Sequence, residues 1–351
     1  MINGIINVYK EAGFTSFDVV AKLRGIVGQK KIGHTGTLDP DAEGVLPVCL
    51  GSATKLCEYL TDKTKAYEAT FRLGIETDTQ DISGKILSKT KVKLVDITNN
   101  ITNSGEVDIE KNKINLSEVD ITQDKIVSCI MSFVGKQQQI PPMYSAIKVD
   151  GKKLYELARE GREVERKPRD IEIFEIKIKN IIEQTVSNET CIDVTIEVEC
   201  SKGTYIRTLC YDIGRKLGCG ATMTKLLRTR SGNFLLKDAL TLKEIEDKLT
   251  EVPLEIELQA KKDKPARMVR DTSKVQKALE DITINVDSVF SQYQEIAVDG
   301  EELRRVLNGN YVNHDYCGDL VRVYNSDCRF LAIYEYSKRD KCYKPQKMFL
   351  E

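Results

Sequence analysis

CIDVTIEVECSKGTYIRTLCYDIGRKL, residues 191–217, changes its period halfway along. Ile192, Val194, Ile196 and Val198 alternate with polar residues, the two-residue period of a half-buried strand. Beyond Ser201-Lys202-Gly203 the apolar residues fall at Ile206, Leu209, Cys210, Ile213 and Leu217, one face of a helix. A strand that passes through a glycine turn into a packed helix predicts an α+β fold. Working outward, YEATFRL at 67–73 is a second alternating strand, with Tyr67, Ala69, Phe71 and Leu73 on one face. GIINVY at 4–9 reads as a short buried strand, followed by a turn at Gly13. Ser16 is then expected as N-cap of a helix whose apolar stripe is Val19, Val20, Leu23, Ile26 and Val27. From about 294, short alternating runs (LVRVY, FLAIYEY) separated by Gly, Asn and Asp predict a small β-rich module.

The chain has 351 residues, more than one compact core comfortably holds, which predicts two domains. Hydrophobic residues make up 41% and charged residues 30%, as in soluble globular chains. No run approaches the length of a membrane-spanning helix, and MINGIINVYKEAGFTS turns polar too soon for a secretory signal. The ten cysteines form no CxxC pair and are expected as reduced thiols in the cytoplasm. Two histidines, His34 and His314, leave few places for zinc or Ser-His-Asp chemistry.

The net charge of −1 argues against a protein that holds nucleic acid by charge alone. Locally the balance shifts. Residues 202–230 carry seven Lys/Arg against the single acid Asp212, and 143–169 carry eight against five. Such stretches suit a local polyanion groove, and equally a solvated surface. Residues 85–123 are polar and poor in aromatics, and read as a surface insertion with little core of its own. Residues 259–281 are charged and helical in composition.

Four segments could carry chemistry. In GHTGTLDPDAEG (33–44), expected as loop, Pro40 biases Asp39 toward an extended backbone and holds its carboxylate outward. On pattern alone an aspartate capping its own turn is favoured over catalysis. Tyr67 is either core or a stacking platform for a planar base. Arg207 lies off the helix stripe, toward the strand-to-helix junction. It is either a surface arginine or the partner that keeps a buried carboxylate ionised. PPMYSAIKVDGKKLYELAREG (141–161) interleaves Tyr144 and Tyr155 with Lys and Arg, which suits nucleic acid or an amphipathic surface helix. No dinucleotide fingerprint and no metal-ligand cluster is present in the pattern.

Taken in order, GHTGTLDPDAEGVLPVCLGSATK, KAYEATFRLG, PPMYSAIKVDGKKLYELAREG and CSKGTYIRTLCYDIGRKLGCGA resemble the bacterial tRNA pseudouridine-55 synthase family, TruB, over roughly residues 2–240. The last sixty residues resemble, more weakly, its PUA-type RNA-binding module. The resemblance implies the pseudouridine synthase fold: a mixed, largely antiparallel sheet with flanking helices and a central cleft. It also implies a catalytic domain over 1–250, a charged connector, helical for the most part, over 251–290, and a PUA-like domain over 291–351.

The reaction implied is isomerisation of the T-loop uridine 55 of tRNA. By position, Asp39 matches the essential aspartate, Tyr67 the tyrosine stacked on the target base, and Arg207 the arginine that pairs with the aspartate. Tyr205 matches its active-site neighbour, Leu226 an apolar residue beside the base, and His34 the histidine that keeps the uridine flipped out. Lys10, Tyr144 and Lys148 are expected among the substrate-binding residues, and 140–169 corresponds to a segment that closes on the T arm. The family's Lys-Pro is Lys10-Glu11 here. The isomerisation is redox-neutral and calls for no nicotinamide or flavin, and no metal is expected. The partner implied is the tRNA T arm, with no membrane and no required protein partner, for a monomer in the cytoplasm. Three rivals fit fewer segments: a non-catalytic RNA-binding module, a guide-RNA-dependent relative, and a glycoside or nucleoside hydrolase. The hydrolase would need a second carboxylate such as Asp41 or Glu43.

Overall fold

The computed structural model describes residues 2–95, 118–149, 151–186, 189–252, 254–257, 267–270 and 272–350. The chain divides into two compact units, residues 1–62 together with 233–351, and residues 63–232.

The first unit begins with β1 (Gly4–Lys10), α1 (Ser16–Val27), β2 (Ile32–His34) and β3 (Glu43–Leu50). Both β1 and β2 pair antiparallel with β3. The helix starts one residue earlier than expected. Thr15, not Ser16, is the N-cap, and it forms a capping box with Asp18. Ser16 is buried and its hydroxyl is used elsewhere, as described below. The predicted stripe of α1 packs with β1 and β3 in a core of Ile6, Val8, Val19, Val20, Leu23, Leu46 and Val48. Each such side chain contributes about 1.5–3 kcal/mol on burial. The same strand β1 draws the distant end of the chain into this unit. Ile5 exchanges backbone hydrogen bonds of 2.9 and 2.8 Å with Ile284, and the Tyr9 amide donates to the Leu240 carbonyl at 2.8 Å.

The second unit is built on five antiparallel strands: β4 (Lys65–Leu73), β5 (Gly135–Gln139), β6 (Arg169–Val186), β7 (Glu189–Cys200) and β8 (Ala221–Ser231). They lie in the order β8-β4-β7-β6-β5. The alternation read from the sequence is the observed one: Phe71 faces Val194, Ala69 faces Ile196 and Tyr67 faces Val198 across the β4–β7 ladder. On the opposite face Arg72 stands directly across from Asp193 and grips it bidentately, at 2.7 and 2.9 Å. That bond raises the pKa of Arg72.

Three helices belong to this unit, α2 (Gln123–Met131), α3 (Leu154–Arg159) and α4 (Ile206–Leu217). The expected insertion at 85–123 has better-packed roots than its composition suggests. Lys91–Leu94 pairs in parallel with Glu118–Ile121, and Val92 and Ile121 are buried; residues 96–117 lie outside the described part.

The rest of the first unit comprises α5 (Leu242–Thr250), α6 (Thr272–Asp281), β9 (Gln294–Val298), α7 (Gly300–Leu307), β10 (Leu320–Asn325), β11 (Phe330–Ser337) and β12 (Cys342–Met348). Of the stretch 259–281, read as helical in composition, Thr272–Asp281 is helix. Arg267–Arg270 instead pairs antiparallel with Leu254–Glu257, and 258–266 lies outside the described part. The small β module is as read. Strands β9 to β12 form one four-stranded sheet around Val298, Val321, Val323, Ala332, Tyr334 and Tyr343. Phe290 joins it to the N-terminal part of the unit, with ring centroids 5.0 Å from Tyr59 and 6.2 Å from Phe349. All ten cysteines are free thiols. Among the described residues no helix is long and apolar enough to cross a membrane.

Helix α4 approaches β8 so closely that a Cβ on Gly214 would stand 2.2 Å from the Ala221 backbone nitrogen. Gly214→Ala therefore forces the helix away from the sheet, with an expected loss of about 1–3 kcal/mol. Urea unfolding followed by far-UV circular dichroism, suited to a chain with no tryptophan, measures it as a lower midpoint.

Candidate active site

In the first unit the loop between β2 and β3 carries His34 at its start and Asp39 near its middle. A loop with a glycine tends to be loose; this one is tied at nearly every second residue. Gly36 takes a φ of 96°, a left-handed conformation that a side chain would resist. Thr35 is fully buried, and its amide and hydroxyl both donate to the Pro47 carbonyl, at 3.1 and 3.2 Å. The Ser16 hydroxyl accepts from the Leu38 amide at 2.8 Å and donates to the Leu38 carbonyl at 3.2 Å. The Gly13 amide donates to the Pro40 carbonyl at 3.0 Å.

Lys10 completes the frame. It is wholly buried, and its ammonium donates to the carbonyls of Glu11, Pro40 and Ala42 at 3.1, 2.9 and 2.5 Å. Expected among the substrate contacts, Lys10 holds the segment on which Asp39 sits. Asp39 itself is half-buried, between an anchored Leu38 and an anchored Pro40. Of the two neighbouring carboxylates, Asp41 is exposed and Glu43 accepts from the Tyr9 hydroxyl at 3.2 Å. Burial and the Glu43 charge raise the Tyr9 pKa.

In the second unit Tyr67 and Leu226 share one face of the sheet. Tyr67 is opposite Arg228, and Leu226 is opposite Ala69, in the β4–β8 ladder. All three of Tyr67, Leu226 and Arg228 are buried. Arg207, in the first turn of α4, is buried too, and its guanidinium is fixed at several points. One terminal nitrogen donates to the Thr79 carbonyl at 3.0 Å and to Asp81 at 3.3 Å, and the other to the Tyr144 carbonyl at 2.9 Å. The structure thus brings Arg207 and Tyr144 into direct contact.

Tyr205 sits at the N-cap of α4, clamped by Gln139, which accepts from its amide at 2.8 Å and donates to its carbonyl at 3.0 Å. Lys148 is exposed, in a two-residue strand paired with Lys152–Lys153. The basic stretch 202–230 is not one solvated surface: Arg207 and Arg228 are buried, and Arg230 pairs with Glu199 at 2.5 Å.

Several of these residues were not singled out by the sequence reading. Asp81 belongs to a tight loop in which its carboxylate also accepts from the Thr79 hydroxyl, the Ser83 amide and the Ser83 hydroxyl, at 2.8, 3.1 and 2.6 Å. Gln80, with a φ of 64°, accepts from the Thr208 hydroxyl at 2.8 Å. The run Asp78-Thr79-Gln80-Asp81 is the one signal that could have flagged this loop. Gln139 and Arg228 leave no such trace, and Ser16 was read only as a helix cap.

The first unit thus holds a half-buried carboxylate on a tied loop, and the second a tyrosine and a leucine on one sheet face and a buried arginine bound to a loop carbonyl. The family of TruB pseudouridylate synthases matches in its N-terminal domain over residues 24–104 and 101–206. The C-terminal domain of tRNA pseudouridylate synthase B matches over 207–260. A tRNA pseudouridine synthase B of Lachnoclostridium phytofermentans is 46% identical over 99% of this chain and all of its own length. One of Clostridium perfringens is 38% identical over the whole of both chains. A Cbf5–Nop10–Gar1 complex contains a chain of similar fold, with a TM-score of 0.61 and 23% identity over 99% of this chain and 85% of that one. An H/ACA RNP bound to a substrate RNA containing 2′-deoxyuridine gives 0.60 and 22%, over the same shares. The chain belongs to the TruB family of pseudouridylate synthases, and its fold is theirs. By class it is an isomerase.

Replacing Lys10 by Met leaves the Pro40 and Ala42 carbonyls without their ammonium donor. Loss of these charge-assisted bonds should cost at least about 2 kcal/mol. Hydrogen exchange should quicken at the amides of residues 35–42, and pseudouridine formation should fall at least about tenfold if Asp39 shifts by as much as an ångström.

Proposed function

We propose that this chain converts uridine 55 in the T loop of tRNA to pseudouridine, acting as a monomer in the cytoplasm without a guide RNA or protein partner. The observation that carries this reading is full-length identity of 38–46% to proteins named tRNA pseudouridine synthase B. In this reading Asp39 is the essential carboxylate, Arg207 its ion-pair partner, and Tyr67 the ring against the flipped base. Tyr205, Leu226 and His34 surround that nucleotide, while Tyr144 and Lys148 contact the T arm. The β module at 291–351 is a PUA-like RNA-binding domain, beyond a catalytic domain over 1–250 and a connector over 251–290.

The chemistry accounts for these residue types. The C1′–N1 bond breaks, the uracil turns, C1′ joins C5, and the C5 proton leaves while N1 gains one. The carboxylate has to be ionised, which a buried guanidinium favours by opposing charge. The base must leave its stack at a cost of a few kcal/mol, which an aromatic face and an inserted side chain offset. A rigid mounting matters because a carboxylate displaced by an ångström loses most of its rate advantage.

The test is tritium release from unmodified tRNA labelled at uridine C5, with no other RNA or protein added. The wild type should release tritium, and replacing the T-loop uridine should abolish it. Asp39→Asn should bind tRNA and release none. Wild-type-like release by Asp39→Asn would overturn the role of Asp39, and release that persists without uridine 55 would overturn the site of modification.

A further inference from the structure

The segment Pro141-Pro142-Met143-Tyr144-Ser145 passes directly over Arg207, whose guanidinium donates to the Tyr144 carbonyl at 2.9 Å. The next residue, Ser145, is 6% exposed. Its backbone is fully committed: the amide donates to the Met143 carbonyl at 3.0 Å, and the carbonyl accepts from the Tyr155 amide at 3.1 Å. Its hydroxyl is buried and has no hydrogen-bond partner among the described residues. A buried hydroxyl left unpaired costs about 1–3 kcal/mol, and an alanine here would occupy the same space without that cost. The backbone on both sides is pinned, so the Cβ that carries the hydroxyl is held in place. The hydroxyl lies, unspent, one peptide unit from the carbonyl that Arg207 grips.

We infer that Ser145 is a substrate-binding residue, whose hydroxyl is reserved for a polar atom of the target nucleotide. The inference rests on the reading of this chain as a uridine-modifying enzyme and adds a contact to it. Uridine offers suitable partners in its two carbonyl oxygens, its N3–H and its ribose hydroxyls, and a serine hydroxyl both donates and accepts. Unlike Arg207, Ser145 has no side-chain hydrogen bond to lose among the described residues. Removing the hydroxyl therefore separates binding from stability, with opposite signs.

The experiment compares the full-length wild type with Ser145→Ala and Ser145→Cys, the second nearly isosteric and a weak hydrogen-bond donor. Melting temperature is measured without RNA, and tritium release is measured on C5-labelled tRNA. Both variants should melt at or above the wild-type temperature, and kcat/KM should fall about five- to tenfold, the size of one neutral hydrogen bond. The rise in melting temperature on adding tRNA should also shrink. Wild-type kcat/KM in both variants would overturn the proposal, leaving a hydroxyl satisfied by buried water. A lower melting temperature without RNA, in step with the activity loss, would overturn it in favour of a structural role. Absence of release by the wild type itself would count against the enzyme reading, and so is distinct from a failure of Ser145 alone.

Discussion

The buried ammonium of Lys10 is the constraint on which the first unit's functional loop depends. Three carbonyls converge on it, two of them from residues that follow Asp39. Backbone carbonyls in a loop that leaves the sheet have no ladder to satisfy them, and burying them unpaired would be costly. One cation at the end of β1 gathers them, so the path of residues 40–42 is set by the strand and not by the loop's own preferences. The glutamate that follows Lys10 contributes only its carbonyl to this arrangement, so it requires no proline at that position.

A comparable device operates in the second unit. Arg207 gathers the Thr79 and Tyr144 carbonyls and the Asp81 carboxylate, thereby joining α4 to two separate loops. Those loops have further anchors: the Ile82 amide donates to the Met223 carbonyl at 2.8 Å, and the Met223 amide to the Gln80 carbonyl at 3.1 Å. Sheet, helix and loop thus meet around one guanidinium, whose planar fork can serve three acceptors at once. Lysine could supply the charge there but not the geometry.

The parts legible in the sequence are those with a period. The strands at 67–73 and 191–200 and the stripe of α4 announce themselves because a sheet face and a helix face repeat every two and 3.6 residues. Asp39, Tyr67 and Arg207 each left two readings open on pattern alone, and only the resemblance carried by four ordered motifs favoured one over the other. What stayed hidden is held by side-chain bonds between residues far apart in sequence. Ser16 meets Leu38 across 22 residues, Gln139 meets Tyr205 across 66, and Arg207 meets Asp81 across 126. No local rule distinguishes such a serine or glutamine from a solvated one. The same limit applies to β1, whose pairing with Leu240 and Ile284 makes the first unit discontinuous. Composition misled twice. A charged run at 259–281 looked helical although 267–270 found a strand partner, and a polar insertion proved to have buried roots at Val92 and Ile121.

Buried cations are a poor way to gain stability, since taking a charge out of water costs as much as its partners return, and an apolar residue of similar size often does better. Their use at Lys10 and Arg207 is therefore better explained by direction than by strength. An apolar side chain in either place would fill the volume and leave the carbonyls of Pro40, Ala42, Thr79 and Tyr144 to find their own orientations. A cation with fixed donors selects one orientation among many. For a site that must hold its substrate in one geometry, stiffness in the loops is worth more than a lower free energy of folding.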